Sequence, residues 1–373
     1  MGMASPHPTP TQRNAGIDLV RVLMTMLVIL HHTAIVYGGS GGWFWRQEPN
    51  ASNPLLVMFN AVNQSYFMGL FFLLAGYYTP ASFGRKGAGR YLADRGIRLG
   101  LPLLAFFFVL FPLTVAIADA VSGEDLLRRW GRGIMGGTHG PGPLWFALAL
   151  LIFAHAYALL RWAGAFPASG RAAAALPRPG TLLLAMLGIG LVAFAVRLVI
   201  PVGHEVLWLQ LGYFPGYILL FLAGIAAAPN RLLERIGMRA ALPWLAVAVL
   251  AIVTLPVVIA LHGAAGGFEG GWNWNALYYA LWEPFVATGV ILTLFAWAAA
   301  PARRSGPVAR WFAANAFGAF IVHPPVVGAL SRWAATIPAA PWIKFIGVSA
   351  AACICAFALA SALRAIPGVR RVL

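Results

Sequence analysis

The spacing of charged residues is the feature that most constrains this chain. Between successive Asp, Glu, Lys and Arg residues lie ten uncharged intervals of at least 18 residues. A helix needs about 20 mostly apolar residues to cross a hydrocarbon core of ~30 Å, so each interval is long enough for one membrane crossing. The intervals are 22–45, 49–84, 99–118, 133–160, 179–196, 206–230, 240–268, 284–302, 311–331 and 345–363.

The composition excludes an ordinary water-soluble protein. Only 10% of the 373 residues are charged and 61% are hydrophobic, whereas soluble domains carry about 25% charged residues. We therefore predict an all-α fold, a polytopic transmembrane helical bundle of about ten spans in which residues 1–373 form a single domain. The predicted spans are 17–38, 55–78, 99–119, 143–161, 180–200, 207–228, 241–262, 275–300, 312–332 and 343–364.

The net charge of +16 predicts an orientation in the membrane and no nucleic-acid partner, because cytoplasmic loops concentrate Lys and Arg. With the N-terminus inside, 18 of the 26 basic residues fall on the cytoplasmic side and seven fall outside, with Arg21 inside the first span. We predict that both termini and residues 79–98 are cytoplasmic. Residues 38–48 and 263–272 are predicted to be outside, and 161–180 is predicted to be a cytoplasmic linker.

The first predicted span carries ionisable residues, which are costly in a membrane and mark functional candidates. Arg21 and His32 are eleven residues apart, about 1100° of helix rotation, so they share a face and are separated by ~16 Å along the axis. His31 points ~100° away and is expected to face lipid or another helix. Taken singly, Arg21 can equally well snorkel to the headgroups and His32 can equally well make a structural hydrogen bond. Their shared face favours a functional role, because a cation and a potential base aligned on one wall suit an anionic, elongated donor.

Further candidates lie elsewhere in the chain. Glu283 is expected at the depth of His32, where a carboxylate can orient an imidazole base. Arg95 and Arg98, three residues apart, can bind phosphate groups or serve as positive-inside anchors. His323 is a possible further site, with a structural hydrogen bond as the simpler role. Arg197 is expected to be an interface anchor at the outer end of its span.

No metal site is predicted. Cys353 and Cys355 lie two residues apart in the last span, so they point to different helix faces, and no nearby residue completes a ligand set. Both are interpreted as packing residues.

These motifs resemble those of a known family. DLVRVLMTMLVILHH, with ten residues between Arg21 and His32, resembles the opening of the ten-span bacterial acyltransferases called acyltransferase family three. FFLLAG (71–76) resembles the family's FF-x-x-SG segment, with Ala75 at the Ser position, and Arg95–Arg98 matches its RxxR. Residues 142–161, 212–227 and 317–327 resemble the branch of the family that contains glucan-biosynthesis protein C.

The resemblance implies a multi-pass enzyme of the bacterial inner membrane. It would move an acetyl or succinyl group from cytoplasmic acyl-CoA, a co-substrate rather than a bound cofactor, to a hydroxyl of an extracytoplasmic carbohydrate or glycan. We expect His32 to be the general base, Glu283 to support it, and Arg21, Arg95 and Arg98 to bind the donor. Direct transfer and an acyl-His intermediate both remain open. The alternatives are a transporter or flippase of a polar or lipid-linked sugar, and an assembly partner of an envelope-polymer machine.

Overall fold

The computed structural model describes residues 14–48, 50, 52–165, 175–263, 267–300 and 306–373. In this part of the chain the structure is helical, with no strand beyond an isolated bridge between Val206 and Leu209. The α-helices are α1 (Ala15–Val36), α2 (Pro54–Arg95), α3 (Leu101–Ala105), α4 (Phe111–Asp119), α5 (Gly123–Gly136), α6 (Trp145–Trp162), α7 (Pro179–Val199), α8 (Phe214–Ala227), α9 (Met238–His262), α10 (Trp274–Ala298), α11 (Pro307–Ala335) and α12 (Pro341–Ala365).

The all-helical prediction is confirmed, and the chain is a multi-pass membrane protein. Among the described residues, eight helical segments are long and apolar enough to cross a membrane, and Leu211–Ala227 is a shorter apolar helix. One of the eight, Pro54–Asp119, contains both predicted spans 55–78 and 99–119. The exact count of ten and the orientation stay predictions, and residues 166–174 of the predicted linker 161–180 lie outside the described residues.

The chain folds back on itself within α2, at Gly87. Residues 12 apart in a straight helix are ~18 Å apart, yet the hydroxyls of Thr79 and Tyr91 are separated by 3.5 Å. Lys86 likewise binds Asp94 at 2.8 Å. Gly87 has φ 72° and ψ 168°, a conformation that glycine adopts without steric cost. The residues after Gly87 therefore return along α2 toward the end of the bundle from which α2 came.

Two ends of the bundle can be named from α1. We call the end at which α1 begins the proximal end and the opposite end the distal end. A Cβ on Gly16 would clash with the carbonyl oxygen of Ala298, so α10 finishes at the proximal end. Because α11 follows α10 after residues 299–306, α1 and α11 both rise from the proximal end.

Small residues allow the closest helix contacts, as is usual in membrane bundles. A Cβ on Gly76 would overlap the carbonyl oxygen of Phe221, and a Cβ on Gly224 would overlap that of Leu73. Helices α2 and α8 therefore touch backbone to backbone. In the FFLLAG segment, Gly76 makes this contact while Phe72 is fully buried against Tyr217, so its aromatic and glycine residues pack α2 against its neighbours.

Candidate functional site

A pair of histidines joins α1 and α11. His32 lies 17 residues beyond Ala15 and His323 lies 16 residues beyond Pro307, which places them about 26 Å and 24 Å above the proximal end. The Nδ1 atom of His32 is 2.8 Å from Nε2 of His323. The two rings are 5° from parallel with centroids 5.0 Å apart, which fits a hydrogen bond in the common plane of the rings.

The backbone of α11 sets the tautomers of both rings. The carbonyl oxygen of Phe320 lies 2.5 Å from Nδ1 of His323, and a carbonyl oxygen only accepts, so Nδ1 of His323 is the protonated atom. A neutral imidazole has one donor and one acceptor, so Nε2 of His323 accepts and Nδ1–H of His32 donates to it. The remaining Nε2 atom of His32 therefore carries an unshared lone pair.

One face of the His32 ring is covered by Trp43, from the segment that follows α1. The two ring centroids are 4.2 Å apart and the rings are 17° from parallel. His323 is fully buried, whereas His32 is only half-buried. The arrangement leaves a tryptophan-lined imidazole near the distal end, with one ring nitrogen fixed by a neighbour.

Side-chain hydrogen bonds fix the segment 37–48, which carries Trp43. Asn60 of α2 donates to the carbonyl oxygen of Ser40 at 2.8 Å. Arg46 donates to the carbonyl oxygens of Gly39 and Gly41 at 3.0 and 2.7 Å. These bonds hold the backbone that precedes Trp43 and tie Arg46, which follows Trp43, to it. They therefore limit the movement of the indole over His32.

His31 takes no part in the pair of histidines. Its ring is buried, stacks on Phe67 of α2 with centroids 4.8 Å apart, and lies 3.4 Å from Asn60 Nδ2. Of the two directions expected for His31, it therefore faces a neighbouring helix.

The predicted pairing of Glu283 with His32 is corrected by the structure. Glu283 Oε2 forms a short ion pair with Arg197 Nη2, and the hydrogen-bond partner of His32 is His323. The sequence places Glu283 at a suitable depth, but depth on one helix does not determine which neighbouring helix the side chain faces. His323, expected to make a structural hydrogen bond, is the residue that orients His32.

Arg197 is likewise not the interface anchor that its position at the end of a span suggested. Its side chain is 1% exposed, and its Nε donates to the carbonyl oxygen of Gly212 at 3.0 Å. Tyr213 and Tyr279 lie against the guanidinium, 5.2 and 5.7 Å from its carbon. The sequence gives one signal for the burial of Arg197: a carboxylate, Glu283, lies within another predicted span and can neutralise its charge.

The three arginines proposed for the donor lie toward the proximal end. Arg21 donates to Asp18 at 3.0 Å and its side chain is 34% exposed. Arg98 donates to Asp94 at 3.2 Å, and Arg95 lies over the ring of Tyr91 at 5.2 Å. Their donor-binding role stays a prediction.

A cavity of about 490 Å³ lies between α1 and α11 at the proximal end. Its wall includes Asp18 and Met26 of α1 and the cationic Arg310 of α11. Arg21 is absent from this wall, although its partner Asp18 belongs to it. The same two helices thus carry a cavity at one end and the two histidines near the other.

Comparison with known proteins gives one match along nearly the whole chain. A family model described as acyltransferase domain matches residues 14–361. Glucans biosynthesis protein C of Escherichia coli (strain K12) is 29% identical over 98 residues, which are 26% of this chain and 25% of that protein. The same protein of Shigella dysenteriae serotype 1 (strain Sd197) is 28% identical over 98 residues. The match thus spans about a quarter of each relative's length, and no solved structure matches.

Proposed function

This chain belongs to the acyltransferase domain family, and we propose that it transfers an acyl group from acyl-CoA to a hydroxyl group of a carbohydrate. That the chain is a membrane acyltransferase follows from the family and from the apolar helices. The donor, the acceptor and the roles of individual residues belong to the proposal.

The hydrogen-bond chain from Phe320 through His323 to His32 is the observation that carries the proposal. It leaves the lone pair of His32 Nε2 available to accept a proton. In the proposed step, His32 takes the proton of the acceptor hydroxyl while the hydroxyl oxygen forms a bond to the thioester carbon. The carbon–sulfur bond then breaks, and the thiolate of CoA leaves with the proton that His32 returns.

His323 and Trp43 would both stabilise His32 after it has gained the proton. The bond from Nδ1–H of His32 to His323 becomes charge-assisted, and such bonds are roughly twice as strong as neutral ones. The indole face of Trp43 attracts a cation above it. Both interactions are stronger in the transition state than in the ground state, which is the condition for faster chemistry.

The donor is proposed to enter at the proximal end, which would be cytoplasmic. The cavity of about 490 Å³ offers Arg310 to a phosphate group, and the exposed Arg98 and the half-buried Arg95 lie toward the same end. The excess of basic residues predicted on that side supports a cytoplasmic face. In a bacterial cell this membrane would be the inner one.

The carbohydrate acceptor is proposed from the relatives and from the distal position of His32. The curated relatives are named for the biosynthesis of glucans. His32 lies about 26 Å from the proximal end of α1, so an acceptor would meet it from the distal side. An acyl group held transiently on His32 Nε2 is a variant of this mechanism.

The direct test uses purified protein in proteoliposomes with radiolabelled acetyl-CoA or succinyl-CoA and a soluble glucan oligosaccharide. We expect label to appear on the glucan, and His32→Ala to abolish that transfer while the protein still inserts. His155→Ala is the matched control, because His155 is exposed on α6 and bonds only within its own helix. Full activity of His32→Ala would overturn the mechanism. Mass spectrometry of envelope glycans from wild-type and deletion strains would identify the acyl group.

A further inference from the structure

A second cavity, of about 320 Å³, lies between α2, α7, α8 and α10. Along α7 its wall extends from Leu182 to Arg197, and along α10 from Ala280 to Phe295. Each stretch covers 15 residue steps, or roughly 22 Å of helix. The cavity is therefore a long channel parallel to the helices. Helix α2 lines it with Gln64 and Gly69 and contacts His31 through Phe67.

The walls of this channel are apolar over most of its length. Its lining includes Leu182, Met186 and Ile189 of α7, Leu220 of α8, and Ile291 and Phe295 of α10. Such a surface favours a hydrocarbon ligand, because burying apolar area is worth about 25 cal/mol per Å² for any solute that fills it.

Two buried polar atoms at one end of the channel have no hydrogen-bond partner in the described residues. They are Nη1 of Arg197 and Oε1 of Glu283, the atoms of this ion pair that do not face each other. Both residues line the channel, and their side chains are 1% and 9% exposed. A buried donor and acceptor without partners are costly, so a ligand that pairs with both gains from each.

The chemistry of this end selects the head group of the ligand. A hydroxyl oxygen accepts from Arg197 Nη1–H while its own proton is donated to Glu283 Oε1. A carboxylate would be repelled by Glu283 and an ammonium by Arg197, because each charge already has its counter-ion. An uncharged hydroxyl fits both atoms at once.

The channel is also open toward the lipid. Ala185 of α7 and Leu219 and Ala223 of α8 line it and are exposed, and exposed side chains of a membrane-spanning helix face the bilayer. A membrane-dissolved molecule can therefore enter sideways. We propose that this channel binds an uncharged, single-chain lipid alcohol, whose hydroxyl pairs with Arg197 and Glu283 and whose chain runs toward the proximal end.

The test uses a diazirine-bearing hexadecanol with the protein in nanodiscs and without acyl-CoA, so its outcome is independent of acyl transfer. We expect photolabelled peptides from α7, α8 and α10. Unlabelled hexadecanol should compete more strongly than hexadecane, palmitate or hexadecylamine. Equal competition by hexadecane would show that Arg197 and Glu283 do not select the hydroxyl group, and would overturn their role. That result is expected if a water molecule alone bonds to these two residues. Labelling spread evenly over all helices would overturn the site.

A cavity-filling variant tests the position of the chain. Gly216 lines the channel, and a Cβ there would meet nothing within 4 Å, so Gly216→Leu puts a side chain into open space. Displacing about two methylenes of ligand should weaken labelling by roughly tenfold. Gly188→Leu on α7 is the control, since a Cβ at Gly188 also meets nothing and the residue does not line the channel. Equal labelling of the two variants would overturn the proposal.

Discussion

The bundle contains two polar pairs that contrast in charge and in access. His32 and His323 can both be neutral, and their hydrogen bond leaves a free ring nitrogen on a half-buried ring. Arg197 and Glu283 form an ion pair whose side chains are 1% and 9% exposed, at the end of an apolar channel. In the proposed mechanism the first pair gains and releases a proton, whereas the second pair holds opposite charges in a fixed place. Removing a member should therefore reduce catalysis in the first pair and stability in the second.

The largest expected effect is on catalysis at the histidine pair. His32→Ala should lower acyl transfer by about 10²–10⁴-fold, the usual contribution of a general base. His323→Ala should lower kcat by roughly 10²-fold, because His32 is then free to adopt the wrong tautomer. The double variant should be no slower than His32→Ala, because the two residues act as a unit. The measurement is the initial rate of transfer from labelled acyl-CoA.

His323→Gln separates positioning from packing. The Gln carbonyl oxygen can still accept from His32 Nδ1–H, so this variant should recover part of the activity that His323→Ala loses. Thermal stability should be similar in both variants. Two outcomes would show that His323 does not act through His32. One is that the activity losses of His32→Ala and His323→Ala add in the double variant, and the other is equal activity of His323→Gln and His323→Ala.

The next effect is on stability at the ion pair. Arg197→Leu leaves Glu283 buried without its counter-ion, and we expect the free energy of unfolding to fall by about 3–5 kcal/mol. The double variant Arg197→Leu/Glu283→Leu should recover most of that loss, since replacing a whole buried pair by apolar residues is often neutral. Thermal unfolding in detergent measures both. If Arg197→Leu/Glu283→Leu is as unstable as Arg197→Leu, the loss of stability does not come from leaving Glu283 without its counter-ion.

A smaller effect is expected at Trp43. Trp43→Leu removes the aromatic face over His32. A cation–π contact at a half-buried ring is worth about 1–2 kcal/mol, so transfer should slow by roughly five- to thirtyfold. Trp45→Leu is the control in the same segment, because Trp45 lies against Arg332 rather than His32. If both variants lose the same activity, the effect belongs to the segment and not to the indole over His32.

The smallest effect concerns the proximal arginines. The double variant Arg95→Gln/Arg98→Gln should raise KM for acyl-CoA a few-fold at 0.1 M salt and little at 1 M, where the Debye length shrinks to ~3 Å. Arg128→Gln is a matched control. Arg98 and Arg128 are both 58% exposed and each bonds an acidic residue four positions earlier, but Arg128 lies in α5, beyond the distal end of α4. If the KM for acyl-CoA changes neither with salt nor with the substitutions, these arginines serve only as membrane anchors.

Much of the fold could be predicted because it depends on local chemistry. A long run without charge is helical in a membrane, since its backbone groups must bond within the segment. Each predicted span contains a helix, although 207–228 is helical only from Leu211 onward. The prediction gives two spans joined by residues 79–98, and the structure has two helices that meet at Gly87; the prediction did not identify Gly87 as the turn. One glycine with positive φ is a weak signal among the 41 glycines of the chain.

The sequence by itself determined how deep each ionisable residue lies along its helix and which face of the helix it occupies. Helix periodicity places Arg21 and His32 on one side of α1 and turns His31 away, because rise and rotation per residue are properties of a single helix. Only the tertiary structure decided the partners, since a partner depends on which helices pack side by side. Close contacts such as Gly76 against Phe221 and Gly16 against Ala298 set that order. They bring His323 to His32 and Arg197 to Glu283 across 291 and 86 residues of chain, distances over which no sequence period carries information.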